Sequence, residues 1–197
     1  MILVYDTETT GLVHSDLAAD HGLQPHLVQL GLVLVTDTGQ EVASAELMVK
    51  PDGYSIPEGA AKIHGITTAI ATECGVPLAT VLSVFTQLRA NAKELVAFNM
   101  DFDDLVIRSA ISRLGRKPSH PGPALRTCCM RAAMPIMKLP PTAKMMAAGY
   151  DKYKPPNLKE AHRFFCGEDF VKAHSALADA RACLRIHFAM LKMEPAV

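Results

Sequence analysis

The chain begins with Ile2-Leu3-Val4-Tyr5 and follows this run at once with Asp6-Thr7-Glu8. The apolar run reads as a buried strand over Ile2 to Asp6. Residues two apart on a strand face the same side, so Asp6 and Glu8 share one face at its end. Two such carboxylates lose hydration and repel each other unless a cation neutralises them. Oxygen ligands of this kind suit Mg2+ or Mn2+. A strand end open to solvent would satisfy the same pattern without a ligand.

The rest of the chain sets the class. Leu12 to His26 is polar and reads as loop. Leu27 to Val35 and Glu41 to Val49 are strand-like runs around Asp37-Thr38-Gly39, a hairpin signal. Pro51 to Ile66 reads as loop, punctuated by Gly and Pro. Pro77 opens a helix with apolar spacing at Val81, Leu82, Phe85 and Leu88. Glu94 to Phe98 is a short strand. Asp101 to Leu114 is helical, with Leu105, Ile107, Ile111 and Leu114 as its apolar stripe, stopped by Gly115. Residues 118–156 hold 8 of the 13 prolines. They read as a long irregular excursion with a helix near Cys129 to Ala133. An excursion of that length is placed to cover a substrate or meet a partner. Asn157 to Cys166 and Ser175 to Met193 close the chain as helices. Strands followed by alternating strand and helix give an α/β class with a mixed sheet.

A chain of 197 residues is most simply one domain, 1–197. With 49% hydrophobic and 20% charged residues it reads as globular rather than disordered. No apolar run approaches the ~18–20 residues of a membrane span. Leu27 to Val35 comes nearest and is interrupted by Gln29 and Gly31. The N-terminus lacks signal-peptide features. Five cysteines without Cys-x-x-Cys spacing argue against a disulfide framework or a zinc knuckle, and predict a reducing, cytoplasmic compartment. The Cys128-Cys129 pair reads as buried packing.

Net charge is zero, but its distribution is not even. Residues 1–100 carry 4 Lys+Arg against 11 Asp+Glu, and residues 101–197 carry 16 against 9. An acidic half beside a basic half suits carboxylates that hold metals and a face that holds phosphates. Arg126, Arg131, Lys152 and Lys154 are the cations expected on such a phosphate track.

Two further stretches carry chemistry. Asn99 to Asp103 lies at a strand-to-helix junction. Asp101, Asp103 and Asp104 would each favour a helix N-terminus through its dipole, and sequence physics does not choose among them. His174 precedes a helix for which Ser175 is the expected N-cap, with Asp179 about one turn inside. A histidine beside a metal-held water is a good general base, because its ordinary pKa of ~6.5 lies near working pH. Helix-start charge and local packing are the plainer roles for both residues.

In combination these stretches resemble the DEDDh, or DnaQ-like, 3′–5′ exonucleases, which include a proofreading subunit of bacterial DNA polymerase III. The family's Asp-x-Glu-Thr-Thr-Gly stands here as Asp6 to Gly11. Its Asn-x-x-Phe-Asp stands as Asn99 to Asp103, which selects Asp103 over its neighbours. Its His-x-x-x-x-Asp stands as His174 to Asp179. His64-Gly65-Ile66-Thr67 matches a loop the family places near the terminal nucleotide, and Leu158 to Phe170 is similar to its lead-in helix. The resemblance implies a ribonuclease H-like fold with a five-stranded mixed sheet flanked by helices. It assigns Asp6, Glu8, Asp103 and Asp179 to two divalent ions, Mg2+ or Mn2+, and His174 to the base. It places Thr7, Thr9, Leu12, His64 and Phe102 around the terminal nucleotide. Two positions depart from the pattern. Phe98 stands where many members have His, which puts base stacking in place of polar contact. Arg126-Thr127 stands where many have Asp-Thr, and Arg126 is expected to reach phosphate.

The sequence thus predicts a metal-dependent exonuclease that releases nucleoside monophosphates from a nucleic-acid 3′ end, with DNA favoured over RNA. The mechanism expected is two-metal hydrolysis with His174 taking the proton of the attacking water. Its rivals are an exoribonuclease built on the same residues, a non-catalytic nucleic-acid-binding module and a metal phosphohydrolase of another kind. A polymerase or repair partner, strand preference and oligomeric state are left open.

Overall fold

A computed structural model describes residues 1–117, 125–170 and 174–193. Five strands form one sheet in the order β3-β2-β1-β4-β5. They are β1 (Ile2–Thr9), β2 (Leu27–Val35), β3 (Glu41–Met48), β4 (Glu94–Ala97) and β5 (Leu125–Cys128). β1 pairs antiparallel with β2, and β2 with β3, through the predicted hairpin. On its other side β1 runs parallel to β4, and β4 to β5. The sheet is mixed, as expected, and β1 with its carboxylates lies at its centre. β2 is buried along all nine residues, which explains its unbroken apolar character.

Helices cover both faces. Leu3 and Tyr5 point to α3 (Leu78–Ala90) and α4 (Met100–Arg113), sharing a core with Val81, Phe85, Val106 and Ile107. Ile2 and Val4 point the other way. They pack with Val33, Val96, Ala161, Ala180 and Ile186 beneath α5 (Cys129–Met137), α7 (Leu158–Cys166) and α8 (Ala176–Met193). A smaller cluster of Val28, Ile56, Ile66 and Ala71 seats α1 (Glu58–His64) and α2 (Thr68–Cys74). Cys128, Cys129 and Cys183 are buried, and all five cysteines are free thiols. Among the described residues no helix is long and apolar enough to cross a membrane.

Several expectations need correction. β1 runs to Thr9, beyond the expected end at Asp6, so Glu8 also lies within the strand. Pro51 to Ile66 is not all loop, because it contains α1, and α2 follows it directly. Both helices have seven residues, too short for a periodic signal. They are fixed instead by caps and packing: Gly65 ends α1 at φ 76°, and the Thr67 side chain accepts from the Ile70 N–H at the start of α2. On α4 the buried stripe is Val106, Ile107 and Ala110, while Leu105 and Ile111 are only half-buried. The excursion at 118–156 is less irregular than its prolines suggest. Residues 118–124 lie outside the described part, but the remainder supplies β5, α5 and α6 (Ala143–Ala147).

Candidate active site

The alternation of β1 sorts its polar residues. With Ile2 and Val4 facing α8, Asp6 and Glu8 fall on the same face, while Thr7 falls on the α4 face with Leu3 and Tyr5.

From below, α8 brings Asp179 to the two carboxylates. It can do so because Gly31, the partner of Asp6 across the β1–β2 ladder, has no side chain. A Cβ there would lie 2.2 Å from the Ala176 carbonyl carbon and 2.3 Å from the Leu177 nitrogen. The sheet also anchors the helix start. Gln29 Oε1 accepts the Ala176 N–H at 3.0 Å, and Glu46 Oε1 accepts the Leu177 N–H at 3.2 Å. Ser175, the expected cap, instead donates its hydroxyl to Glu46 Oε1 at 2.6 Å. The orphan donors of α8 are thus met from β2 and β3 rather than from its own leading residue. Gln29, Gly31 and Glu46 were missed as site residues in the sequence. Only Gly31 carried a signal, as a glycine inside a strand where another backbone approaches.

α4 contributes the fourth carboxylate from the opposite face. Asp103 Oδ1 accepts both the Thr7 N–H, at 3.0 Å, and the Thr7 hydroxyl, at 2.7 Å. This pair ties the start of α4 to β1. The three neighbouring aspartates have separate fates because each residue turns the helix by about 100°. Asp103 enters the cavity, Asp104 pairs with Arg126 Nη2 at 2.8 Å, and exposed Asp101 pairs with Arg131 at 2.7 Å.

Asp6, Thr7, Glu8, Phe98, Asn99, Phe102, Asp103, Leu158, His174 and Asp179 line one open cavity of about 200 Å³. His174 stands exposed at its rim in the left-handed region, φ 77°, and donates its backbone N–H to Asp179 Oδ2 at 3.2 Å. A non-glycine residue held there is uncommon and marks a position fixed by its surroundings. One ligand atom each from Glu8, His174 and Asp179 lies within 4.8 Å of the others.

The electrostatics of this cluster are unfavourable as it stands. Burial, then the charges of Asp103, Asp179 and Glu8, holds Asp6 well above the usual carboxylate range. Burial and the neighbouring Asp179 and Asp103 push Glu8 up to about 7. Burial raises Asp103 to about 7 despite its two bonds from Thr7, and Asp179 to about 6 despite the His174 N–H. Asp179 Oδ1 is buried with no hydrogen-bond partner among the described residues. Four crowded oxygen donors that resist ionising, one with an unused buried oxygen, fit a divalent cation.

The other expected contacts divide. Phe102 and Thr7 line the cavity. Phe98 also lines it, yet at 7% exposure it is a wall in the α8-side core, with little ring face to stack on a base. Thr9 is buried and donates its hydroxyl to the Gly11 carbonyl at 2.6 Å. His64 stands outside the cavity lining but near Thr9 and His174. Burial lowers its pKa, the Thr9 backbone opposes this, and its buried Nε2 has no hydrogen-bond partner among the described residues. Leu12 is 83% exposed on the loop after β1 and does not line the cavity. Three cations of the expected phosphate track are engaged in ion pairs: Arg126 with Asp104, Arg131 with Asp101, and Lys154 with Glu160 at 2.6 Å. Arg126 in particular is directed to α4 rather than outward, because Asp104 on that helix is nearly buried and needs a counter-charge.

A ribonuclease H-like sheet with clustered carboxylates at its central strand defines a nuclease-type centre suited to cations. A family model described as Exonuclease matches residues 3–187. The chain belongs to this exonuclease family, of the DnaQ-like 3′–5′ type. Among curated proteins none shows significant sequence similarity to it. Solved structures with the same fold include exonuclease I described in terms of how processivity is achieved, at TM-score 0.74 and 22% identity over 98% of this chain and 41% of that one. E. coli exonuclease I in a zinc-bound complex with single-stranded DNA matches at TM-score 0.74 and 21% identity, with 98% and 41% covered. The E. coli enzyme with a dA16 oligonucleotide matches at 0.73 and 21%, over the same shares. This chain therefore spans about two fifths of the length of these structures.

Proposed function

We propose that this protein is a metal-dependent 3′–5′ exonuclease that removes nucleoside 5′-monophosphates from DNA ends. The observation that carries the reading is the convergence of Asp6, Glu8, Asp103 and Asp179 from three elements onto one small cavity, with His174 at its rim. A structural or purely binding role has no use for four mutually repelling carboxylates, two of them buried and two half-buried. Membership of the exonuclease family supports the reaction, and the single-stranded DNA held by similarly folded exonuclease I supports DNA as the polymer.

Asp6, Glu8, Asp103 and Asp179 would hold two divalent ions, Mg2+ or Mn2+, which supply positive charge to the scissile phosphate and the departing 3′-oxygen. The protein's own groups do the rest. Thr7 fixes Asp103 through two hydrogen bonds to one oxygen, leaving the other free to bind. Asp179 is oriented through the His174 backbone, so ligand and base move together. The exposed His174 ring takes a proton from the attacking water and can pass it to solvent. Phe98, Phe102 and Leu158 give the cavity apolar walls, which limit it to the end of a strand. Thr7, Phe102, Thr9, Leu12 and His64 are proposed to meet the terminal nucleotide, the first two within the cavity and the others around it.

The test is digestion of matched 3′-labelled and 5′-labelled DNA and RNA oligonucleotides with Mg2+, Mn2+ or EDTA. Stepwise loss from the 3′ end of DNA, stopped by EDTA, is expected. Faster loss from RNA would make it an exoribonuclease. Full activity in EDTA would remove the metal mechanism.

A further inference from the structure

The register of the sheet puts three residues of the α8 face in one row. Asp6 on β1 is opposite Gly31 on β2, and Gly31 is opposite Glu46 on β3. Opposed residues share a face, so two carboxylates flank a gap that has no side chain. Ala176, at the start of α8, sits over that gap. Ala43, Ala45 and Leu47 of β3 pack against the other core, which leaves Glu46 turned toward the helix. Glu46 is exposed on this edge strand. Its Oε1 accepts the Ser175 hydroxyl at 2.6 Å and the Leu177 N–H at 3.2 Å. A long, exposed side chain loses rotamer freedom when it is held in this way. The seating of α8 does not account for the contact, because the helix already rests on Gly31 and packs through Ala180, Cys183 and Ile186.

The residue before Ser175 does account for it. His174 has φ 77°, which is strained for a residue with a Cβ, so the turn relaxes unless it is held on both sides. Asp179 Oδ2 takes the His174 N–H at 3.2 Å. Beyond it, Glu46, Gln29 and Glu46 again hold Ser175, Ala176 and Leu177 in succession. We infer that Glu46 is a positioning residue, which through Ser175 and Leu177 holds the turn that sets His174 at the rim of the catalytic cavity. The inference rests on the proposed nuclease reading, in which His174 is the base, and adds what keeps that base in place. Glu46 does not line the cavity and acts only through the segment it holds. A carboxylate at the positive end of α8 is favoured there by the helix dipole. The position of the base matters because it must lie within hydrogen-bond reach of its water, and a displacement of about 1 Å can cost up to ~100-fold in rate.

The test is the digestion kinetics of 5′-labelled dT15 with Mg2+. Glu46→Ala should lower kcat about 10-fold while KM changes less than about 2-fold, and Glu46→Gln, which keeps the acceptor oxygen, should restore most of the rate. Melting temperature should fall by no more than about 4 °C. In a His174→Ala background Glu46→Ala should cost no further rate, because its effect runs through that side chain. Ser175→Ala removes one of the two bonds and should give a smaller loss of the same kind, and it decides the matter if Glu46→Ala does not fold. An unchanged kcat, an equal loss in Glu46→Gln, or a further loss in the His174→Ala background overturns the inference. If the wild-type protein does not cleave, the nuclease reading fails by itself and amide hydrogen exchange decides. Faster exchange at His174 and Leu177 in Glu46→Ala would keep Glu46 as the holder of the turn, and unchanged exchange would overturn it.

Discussion

Gly31 and Ala176 are in backbone contact that no side chain at position 31 could permit. This one approach sets the depth at which α8 meets the sheet, and therefore the distance from Asp179 to Asp6 and Glu8. Gly31→Ala should force the helix outward. A cost of at least about 1–3 kcal/mol is expected from overpacking. Turnover should fall by more than the unfolded fraction explains, because the carboxylate set is spread apart. A variant with wild-type melting temperature and rate would mean that the approach is not critical.

The metal-free protein should lose stability as pH rises. Glu8 and Asp103 have folded-state pKa values of about 7 and Asp179 of about 6, against ordinary unfolded values near ~4. Between those limits the folded state binds more protons than the unfolded one, so stability falls with pH. The contribution is complete below about pH 4 and gone once pH has passed about 7. A bound divalent cation keeps the carboxylates ionised and should flatten this part of the curve. The measurement is melting temperature from pH 5 to 8 in EDTA and in Mg2+. The difference between the two curves isolates the site, because groups elsewhere, such as half-buried His26 and buried His187, titrate in both. Parallel curves would refute the cation site.

Asp6→Asn should separate stability from function. Replacing a carboxyl whose ionisation its crowded surroundings oppose with a neutral amide should raise the melting temperature of the metal-free protein at alkaline pH. The same change should remove nearly all turnover by taking a ligand from the centre. A destabilised Asp6→Asn would show that the carboxylate holds the fold together.

His174 should behave as a working residue rather than a structural one. Its exposure and its φ of 77° mean that His174→Gly suits the backbone, and stability should stay within about 1 kcal/mol of wild type. Turnover should still fall roughly 10²–10⁴-fold, and the remaining activity should lose its rise with pH. Wild-type turnover in a folded His174→Gly protein would exclude the assigned base.

Arg126 is expected to matter for stability and not for substrate. Its pairing with nearly buried Asp104 predicts a loss of roughly 1–3 kcal/mol in Arg126→Gln. The salt dependence of oligonucleotide binding should not move. A flatter salt slope would return Arg126 to the phosphate track.

Much of the site was legible in the chain because its parts are local. Asp6 and Glu8 follow an apolar run, and period-two alternation alone puts them on one face. His174 and Asp179 bracket a helix start. The hairpin around Gly39 and most long helices showed in composition and periodicity. Other features depended on partners distant in sequence. Local chemistry treats Asp101, Asp103 and Asp104 alike. Only the meeting of α4 with Thr7 on one side and Arg126 on the other gives each its place. The stop of α8 against Gly31, its anchoring by Gln29 and Glu46, and the pairing of Arg126 with Asp104 are contacts between separate strands and helices. The sequence by itself determined which chemistry the chain carries, because donor type and strand period are properties of neighbouring residues. Tertiary structure decided which of several equivalent charges serve it, because burial and pairing exist only once the sheet and helices have packed.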